Sequence, residues 1–186
     1  YKFRAALQYV TEGFYKEETF SEYLERAEPG VFFMLAGLNE RDFFEEPPYD
    51  LDRSKQPADQ HLAVFFEQGD CHACDVLHSQ PLREPAIRSL LRRFENVQLD
   101  IWSDTPVVTP DGRRTTAKEW ARELGLFYTP SILFFDEHGR EIIRVDSVVH
   151  LFRLRNVLNY VVSRGYLTEP NFLRWSARTR RVLDAP

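Results

Sequence analysis

Residues 61–74 read HLAVFFEQGDCHAC and contain both cysteines of the chain. The segment opens with a continuous apolar run, which is typical of a central strand covered on both faces. It ends with two thiols separated by two residues. If Cys71 lies at the N-terminus of a following helix and Cys74 lies one turn in, the two sulfurs can close a small disulfide ring. The pattern predicts a redox dithiol between a buried strand and a helix.

The two sulfurs are expected to differ in reactivity. Unsatisfied backbone N–H groups and the helix dipole favour negative charge at a helix N-terminus, so Cys71 should form the thiolate more easily and act as the nucleophile. Cys74 would then resolve the mixed disulfide formed with a partner protein. A structural disulfide and half of a metal site are the alternatives for two closely spaced cysteines.

A metal site is an alternative because two histidines, His72 and His78, lie close to the two cysteines in sequence. Cys74 and His78 are four residues apart and fall on one helix face, and four N/S ligands would suit zinc. The His72 side chain, however, is expected to point outward from a tight loop, and no second Cys/His pair follows along the sequence. We therefore assign no metal ligands.

Composition sets limits on the kind of protein. The chain has 186 residues, 43% of them hydrophobic, and a net charge of -5. Its length allows one domain with a substantial core and a helical extension. The acidic balance argues against a nucleic-acid partner, and the apolar stretches are too short to cross a bilayer. Because the chain begins with Tyr1 rather than Met, we expect that residues preceding it have been lost, an export signal being one candidate.

Hydrophobic periodicity predicts alternating strands and helices. Pro81 and Pro85 should interrupt the dithiol helix, and Thr116 with Glu119 forms a capping-box pattern. Leu154 and Leu158 lie on the core face of a closing helix. The predicted elements are strand 61–67, the dithiol helix, helix 86–94, strand 97–102, a turn at 110–112, helix 116–124, strands 131–136 and 142–145 in a hairpin, and helix 151–163.

With Cys71-His72-Ala73-Cys74 after the first core strand and Thr129-Pro130 directly before the hairpin, residues 61–164 resemble the thioredoxin-like family. The chain is most similar to its exported SoxW-type branch. The resemblance implies an α/β fold in which helices flank a central mixed sheet. It also implies a cis bond before Pro130 and contacts of Thr129, Pro130, His72 and Ala73 with substrate.

The same resemblance implies an activity. We expect a thiol-disulfide oxidoreductase that reduces protein disulfides in preference to forming them and uses no cofactor beyond its own disulfide. Its partners would be protein thiols or disulfides and an upstream redox donor, in the periplasm or another exported location. A non-catalytic binding module that uses the Thr129-Pro130 face and a redox-sensing switch are the other functions that this fold allows.

The sequence departs from common thioredoxins around the dithiol. Asp70 replaces the tryptophan before the first cysteine, and Phe65 replaces the usual buried aspartate. Glu67, at the end of the strand, is the candidate base for Cys74, the alternative being water. Asp70 should oppose a thiolate on Cys71, whereas a protonated His72 should favour it, so the sequence does not rank the redox potential.

We divide the chain into residues 1–60, a mainly helical N-terminal extension, and residues 61–186, the thioredoxin-like domain with a C-terminal helical extension. A polar linker is expected over 50–60, and an apolar run at 31–35 is either a strand or part of a buried helix. The N-terminal extension carries a faint repeat of the C-terminal one. Leu7, Tyr9, Val10, Gly13, Phe14, Glu17, Phe20 and Tyr23 align with Leu158, Tyr160, Val161, Gly165, Tyr166, Glu169, Phe172 and Trp175.

This repeat has three interpretations. The chain begins with the tail of a preceding thioredoxin-like domain, it carries a duplicated docking element, or two amphipathic helix pairs share aromatic packing by chance.

Overall fold

A computed structural model describes residues 2–20, 22–23, 37–146 and 151–183. The apolar run at 31–35 lies outside the described residues. Short 3-10 helices occupy Phe14–Lys16 and Pro81–Arg83. The other elements, in chain order, are α1 (Lys2–Thr11), β1 (Tyr49–Asp50), β2 (His61–Glu67), α2 (His72–Ser79), α3 (Pro85–Leu91), β3 (Phe94–Asp100), β4 (Pro106–Val108), β5 (Arg114–Thr116), α4 (Ala117–Glu123), β6 (Ser131–Phe135), β7 (Glu141–Asp146), α5 (Leu151–Val162), α6 (Gly165–Thr168) and α7 (Phe172–Leu183).

The main sheet is mixed, with strand order β3-β2-β6-β7. β2 runs parallel to β3 and antiparallel to β6, and β6 and β7 form the predicted antiparallel hairpin. β2 therefore has a hydrogen-bonded neighbour on each side. Its sequence is apolar almost throughout because apolar cores cover both of its faces. The predicted α/β fold with a mixed sheet flanked by helices is confirmed.

Side chains of β2 alternate between two apolar cores. Ala63 and Phe65 pack into the core shared with α2, α3 and α5. Val64 and Phe66 pack into the core shared with β3 and α4. All four have 0% of their surface exposed, and full burial of a phenylalanine contributes about 1.5–3 kcal/mol. This strand fixes the position of the segment that follows it, which carries the two cysteines.

A smaller sheet has the order β1-β4-β5, with β1 parallel to β4 and β4 antiparallel to β5. Leu51, directly after β1, is buried in the core on the α4 side. Arg53 donates to the Leu51 carbonyl at 2.9 Å and to the Glu95 carboxylate at 2.5 Å. The first part of the expected linker is therefore held against the core that contains the main sheet.

Helix boundaries follow the local sequence. Pro81 and Pro85 interrupt the helical stretch as predicted, leaving α2 and α3 separated by a 3-10 turn. Thr116 caps α4 by accepting from the Glu119 N–H at 3.3 Å, while the Glu119 carboxylate pairs with Arg122. β3 begins at Phe94, three residues before the predicted start, because Phe94 lies opposite His61 in the ladder and packs against Phe134. No helix among the described residues combines the length and apolar character needed to cross a bilayer.

Candidate active site

Cys71 and Cys74 form a disulfide at the start of α2, with their Cα atoms 5.2 Å apart. Cys71 is the N-cap residue, in extended backbone, and its Sγ accepts a hydrogen bond from the Cys74 N–H at 3.1 Å. Cys71 keeps 9% of its surface exposed, whereas Cys74 has none. Cys71 is therefore the sulfur that a partner protein can reach.

Thr129 and Pro130 lie beside the dithiol. The peptide bond between them is cis, as the resemblance implies. Thr129 Oγ1 lies 3.6 Å from Cys71 Sγ. Pro130 is buried and leads directly into β6. In the reduced protein the Thr129 hydroxyl can donate to a Cys71 thiolate.

The residues flanking Cys71 differ in exposure. Asp70 is exposed and adopts a left-handed backbone with φ 48°, a conformation that aspartate tolerates better than most residues. His72 is exposed and Ala73 is partly buried. Asp70 and His72, the sequence neighbours of the reactive sulfur, are therefore both accessible to solvent.

Glu67, at the end of β2, and His78, on α2, form a buried acid–base pair. His78 Nε2 is 2.9 Å from Glu67 Oε1 and 3.0 Å from Glu67 Oε2. The Glu67 side chain is 0% exposed and that of His78 is 1% exposed. Sequence analysis singled out Glu67 but considered His78 only as a metal ligand. The spacing of Cys74 and His78, used in the sequence only to consider a metal site, also places the imidazole one helical turn after the buried sulfur.

The pair is held by polar groups from two further segments. Gln98 donates one amide hydrogen to Glu67 Oε2 at 3.0 Å and the other to the Asn39 carbonyl at 3.0 Å. Arg41 donates to the His78 carbonyl at 2.8 Å, and Phe44 lies against both His78 and Phe65. The segment 39–44 thus covers the buried pair from outside.

The two ring nitrogens of His78 differ in their surroundings. Nε2 faces the Glu67 carboxylate, while Nδ1 is buried and has no hydrogen-bond partner among the described residues. A neutral imidazole that donates Nε2–H to the carboxylate leaves Nδ1 as an acceptor. The pair can therefore accept one proton inside the core, close to the helix turn that carries Cys74.

Asp100 is a further carboxylate near the end of β2. It lies opposite Glu67 in the β2–β3 register and accepts a hydrogen bond from the Trp102 N–H at 2.9 Å. Burial raises the pKa of Asp100, although this hydrogen bond opposes the change. The strand ends nearest the dithiol thus bring two carboxylates into one partly apolar region.

A cavity of about 530 Å³ opens next to Thr129. Phe127 and Tyr128, on its rim, are 69% and 67% exposed. Trp102 donates from Nε1 to Gln68 Oε1 at 3.2 Å and so closes the wall nearest β2. The residues that line the cavity are Gln68, Ile101, Trp102, Lys118, Ala121, Arg122, Leu126, Phe127, Tyr128 and Thr129. The cavity offers an apolar surface with two cationic side chains at the edge of the dithiol.

The described residues place no group of three or more His, Cys, Asp and Glu side chains where it could hold a metal ion. His78, one of the four residues that suggested a zinc site, directs Nε2 to Glu67. The arrangement is suited to thiol chemistry, in which one accessible and one buried sulfur exchange a disulfide.

Comparison with known proteins gives matches of two kinds. The family described as "Thioredoxin-like domain" matches residues 48–162, more than half of the chain. A thioredoxin-fold protein from Helicobacter pylori is 15% identical, with 75% of this chain and 89% of that chain covered and a TM-score of 0.63. A thioredoxin from Thermus thermophilus is 22% identical, with 59% and 80% covered and a TM-score of 0.47. No curated protein matched the sequence.

Proposed function

Because the chain belongs to the thioredoxin-like domain family, we propose that it is a thiol-disulfide oxidoreductase acting on partner proteins through Cys71 and Cys74. The observation that carries the proposal is the disulfide at the N-terminus of α2, with an accessible Cys71 and a fully buried Cys74. This asymmetry assigns attack to the first sulfur and resolution to the second.

The reaction begins from the dithiol. The Cys71 thiolate attacks one sulfur of a partner disulfide, forms a mixed disulfide and releases the other partner sulfur as a thiolate. Cys74 then loses its proton and attacks Cys71 Sγ, expelling the remaining partner sulfur. Two electrons have passed to the partner, and the Cys71–Cys74 disulfide seen in the structure is the oxidised product. A separate redox donor returns it to the dithiol.

Resolution needs an acceptor for the Cys74 proton. The buried Glu67–His78 pair supports this role, since His78 lies one turn after Cys74 and its Nδ1 has no hydrogen-bond partner in the part of the chain that the structure describes. Glu67 acts through His78 as a positioning residue, because its carboxylate faces Nε2 and orients the imidazole. The pair takes the place of the buried aspartate that Phe65 replaces.

Substrate binding is assigned to the surface around Cys71. Thr129 and Pro130, with His72 and Ala73 on the motif side, would contact the partner chain beside its disulfide. The exposed rings of Phe127 and Tyr128 favour a partner with an apolar or aromatic side chain near the reacting cysteine. Lys118, also in the lining, favours an acidic group of the partner at the cavity.

We propose the reducing direction and an exported location, as in the SoxW-type branch. Asp70 places negative charge beside Cys71, which disfavours the thiolate, and stabilisation of the reduced form is what makes a dithiol strongly oxidising. Of the two flanking groups, only His72 acts in the opposite sense, and only when it is protonated.

Insulin reduction with dithiothreitol tests the proposal. The wild-type chain should accelerate precipitation of the insulin B chain, and Cys71→Ser should abolish the acceleration. Activity that survives Cys71→Ser contradicts the mechanism, and function retained in vivo with both cysteines replaced would identify a binding module instead.

A further inference from the structure

The two ends of the chain contain the same helix–turn–helix. Tyr9 Oη donates to the Glu18 carbonyl at 2.6 Å, and Tyr160 Oη donates to the Glu169 carbonyl at 2.9 Å. In each copy the hydroxyl spans nine residues and ties the first helix to the end of the turn. Chance similarity of apolar spacing does not produce this long-range bond twice.

The backbone of the turn also repeats. Gly13 and Arg164, each two residues after the end of a helix, both adopt left-handed backbone, with φ 80° and φ 55°. The Gly13 N–H donates to the Val10 carbonyl and the Arg164 N–H donates to the Val161 carbonyl. Each copy then continues into a short helical turn.

The aromatic packing is the same in both copies. Tyr9 lies 5.2 Å from Phe20 and 5.3 Å from Tyr23, measured between ring centroids. Tyr160 lies 5.4 Å from Phe172 and 5.1 Å from Trp175. The two remaining pairs, Phe20–Tyr23 and Phe172–Trp175, each have centroids 6.4 Å apart and nearly parallel rings.

The structure corrects the alignment inferred from sequence. Gly13 corresponds to Arg164 rather than to Gly165, and the extra residue is Pro170, after the turn. Phe14 therefore corresponds to Gly165. Its ring stacks on Tyr23, whereas Gly165 leaves room for the larger Trp175, against which any added methyl group would clash. In one copy Phe14 faces the smaller Tyr23, and in the other Gly165 faces the larger Trp175. The change in size at one position thus compensates for the change at the other, and the packing of the motif is kept.

The copies differ in what covers their apolar side. Leu158 and Val161 are 0% exposed in the core against the main sheet, whereas their counterparts Leu7 and Val10 are 50% and 61% exposed. Tyr166 packs against the same core, with its hydroxyl 3.0 Å from His61 Nε2 at the start of β2.

The counterpart of Tyr166 is Tyr15, which is 54% exposed. Three exposed residues thus match three that contact a thioredoxin-type core, and we call Leu7, Val10 and Tyr15 the N-terminal apolar face.

We infer that residues 2–23 are the closing element of a second thioredoxin-type domain, whose sheet is encoded N-terminal to Lys2 and packs on the N-terminal apolar face. We identify the partner of the N-terminal apolar face as such a sheet because each residue of this face has a counterpart near the C-terminus that contacts one face of the main sheet. A second copy of this chain offers no such site, since Leu158 and Val161 of its own α5 already cover that face. The inference does not depend on the redox activity of Cys71.

The polypeptide extended upstream to its natural start tests this directly. Its sequence before Lys2 should contain a strand–helix–strand–helix–strand–strand order of about 100 residues, the usual size of a domain. Hydrogen exchange of the amides of residues 7–11 should be at least about tenfold slower in the extended polypeptide than in the 186-residue chain.

A pair of variants separates docking from a general loss of folding. In the extended polypeptide, Val10→Asp should lower the unfolding temperature of the upstream unit by about 5 °C or more. Leu173→Asp, which alters a residue 73% exposed on α7, should leave that temperature unchanged. Hydrogen exchange of the β2 amides should be the same in both variants as in the unsubstituted polypeptide, showing that the described domain remains folded.

An upstream sequence without that order of elements overturns the inference, as does equal exchange of residues 7–11 in the two proteins. Protection of these amides by dimerisation of the 186-residue chain overturns it as well, because the occupant would then be a second copy.

Discussion

His78 Nε2 lies 2.9 Å from Glu67 Oε1, and both side chains are buried. Removing a carboxylate such as that of Glu67 from water is costly, and apolar residues of similar volume often serve stability equally well. A buried pair one turn after the resolving sulfur is therefore better explained by chemistry than by stability. Its proposed role is to accept the Cys74 proton, and this role can be tested separately from folding.

Glu67→Gln should slow resolution of the mixed disulfide. The amide can still bond to His78 but no longer orients the ring through a negative charge. We expect release of the partner at pH 7 to slow by about tenfold, less than the roughly 10²- to 10⁴-fold effect of a general base, because His78 itself remains. Stopped-flow measurement of partner release from pH 6 to 9 checks this. The difference in release rate between Glu67→Gln and the wild-type chain should become smaller at high pH, where Cys74 ionises without a base.

The matched control for this change is Glu123→Gln, which removes a carboxylate from an exposed ion pair with Arg113. Exposed pairs of this kind contribute about 0–1 kcal/mol, so resolution should proceed at the wild-type rate. A Glu67→Gln protein that resolves at the wild-type rate at every pH would exclude the pair from proton transfer.

Thr129→Val should reduce the reactivity of Cys71 in the reduced protein. Thr129 Oγ1 lies 3.6 Å from Cys71 Sγ, and its loss removes a hydroxyl that can donate to the thiolate. A weak hydrogen bond worth about 0.5 kcal/mol corresponds to a roughly two- to threefold slower alkylation by iodoacetamide at pH 7. Thr179→Val, on α7, serves as the control and should alkylate at the wild-type rate.

Tyr128→Ser should weaken binding of partners with an aromatic residue beside the reacting cysteine. The ring is 67% exposed on the rim of the cavity, where it can pack against such a residue. Loss of about 1 kcal/mol of contact raises KM for an aromatic peptide disulfide by roughly fivefold and leaves kcat unchanged. Tyr15→Ser, which removes a ring of similar exposure at 54%, should change neither constant.

Asp136→Asn tests a pH dependence of stability. Burial alone would raise the pKa of Asp136, but hydrogen bonds from Arg140 and from the His138 N–H outweigh it and lower the pKa. A lowered folded-state pKa means that the carboxylate contributes stability above its unfolded pKa of about 3.9, and that this contribution is lost as the pH falls through the folded value.

Urea unfolding at several pH values measures the effect. The Asp136→Asn protein should be less stable than wild type by about 1–2 kcal/mol at pH 7, and the difference should shrink below about pH 4. Asp104→Asn, at an exposed position, should show no comparable difference. If the difference in unfolding free energy between the two proteins stays constant down to pH 2, the effect comes from the changed shape of the side chain and not from its charge.

Much of the fold could be predicted because its signals are local. The apolar run of β2, the two cysteines after it and Thr129-Pro130 before β6 each depend on neighbours in sequence. The pairing of β1 with β4 could not be predicted, since a two-residue strand has no periodicity and its partner lies far along the chain. The sequence therefore predicts a polar linker over 50–60, although Leu51 is buried.

In the candidate active site, too, local sequence signals could be predicted and contacts between distant residues could not. Cys71 and Cys74 stand out in the sequence, and Glu67 could be named because it ends the strand. The Glu67–His78 contact joins the end of a strand to the last turn of a helix, and only the packing of α2 on the sheet brings them together. Helical spacing placed His78 near Cys74 but did not show which of its nitrogens meets a carboxylate.

The most direct test of the proposed chemistry is mass spectrometry of the Cys74→Ser protein after reaction with a protein disulfide under non-reducing conditions. The account predicts a stable covalent adduct joined through Cys71, because the serine cannot attack the mixed disulfide, and predicts that dithiothreitol releases it. No adduct on Cys74→Ser, with the same partner reduced by the wild-type chain, would contradict the assignment of Cys71 as nucleophile and Cys74 as resolving residue.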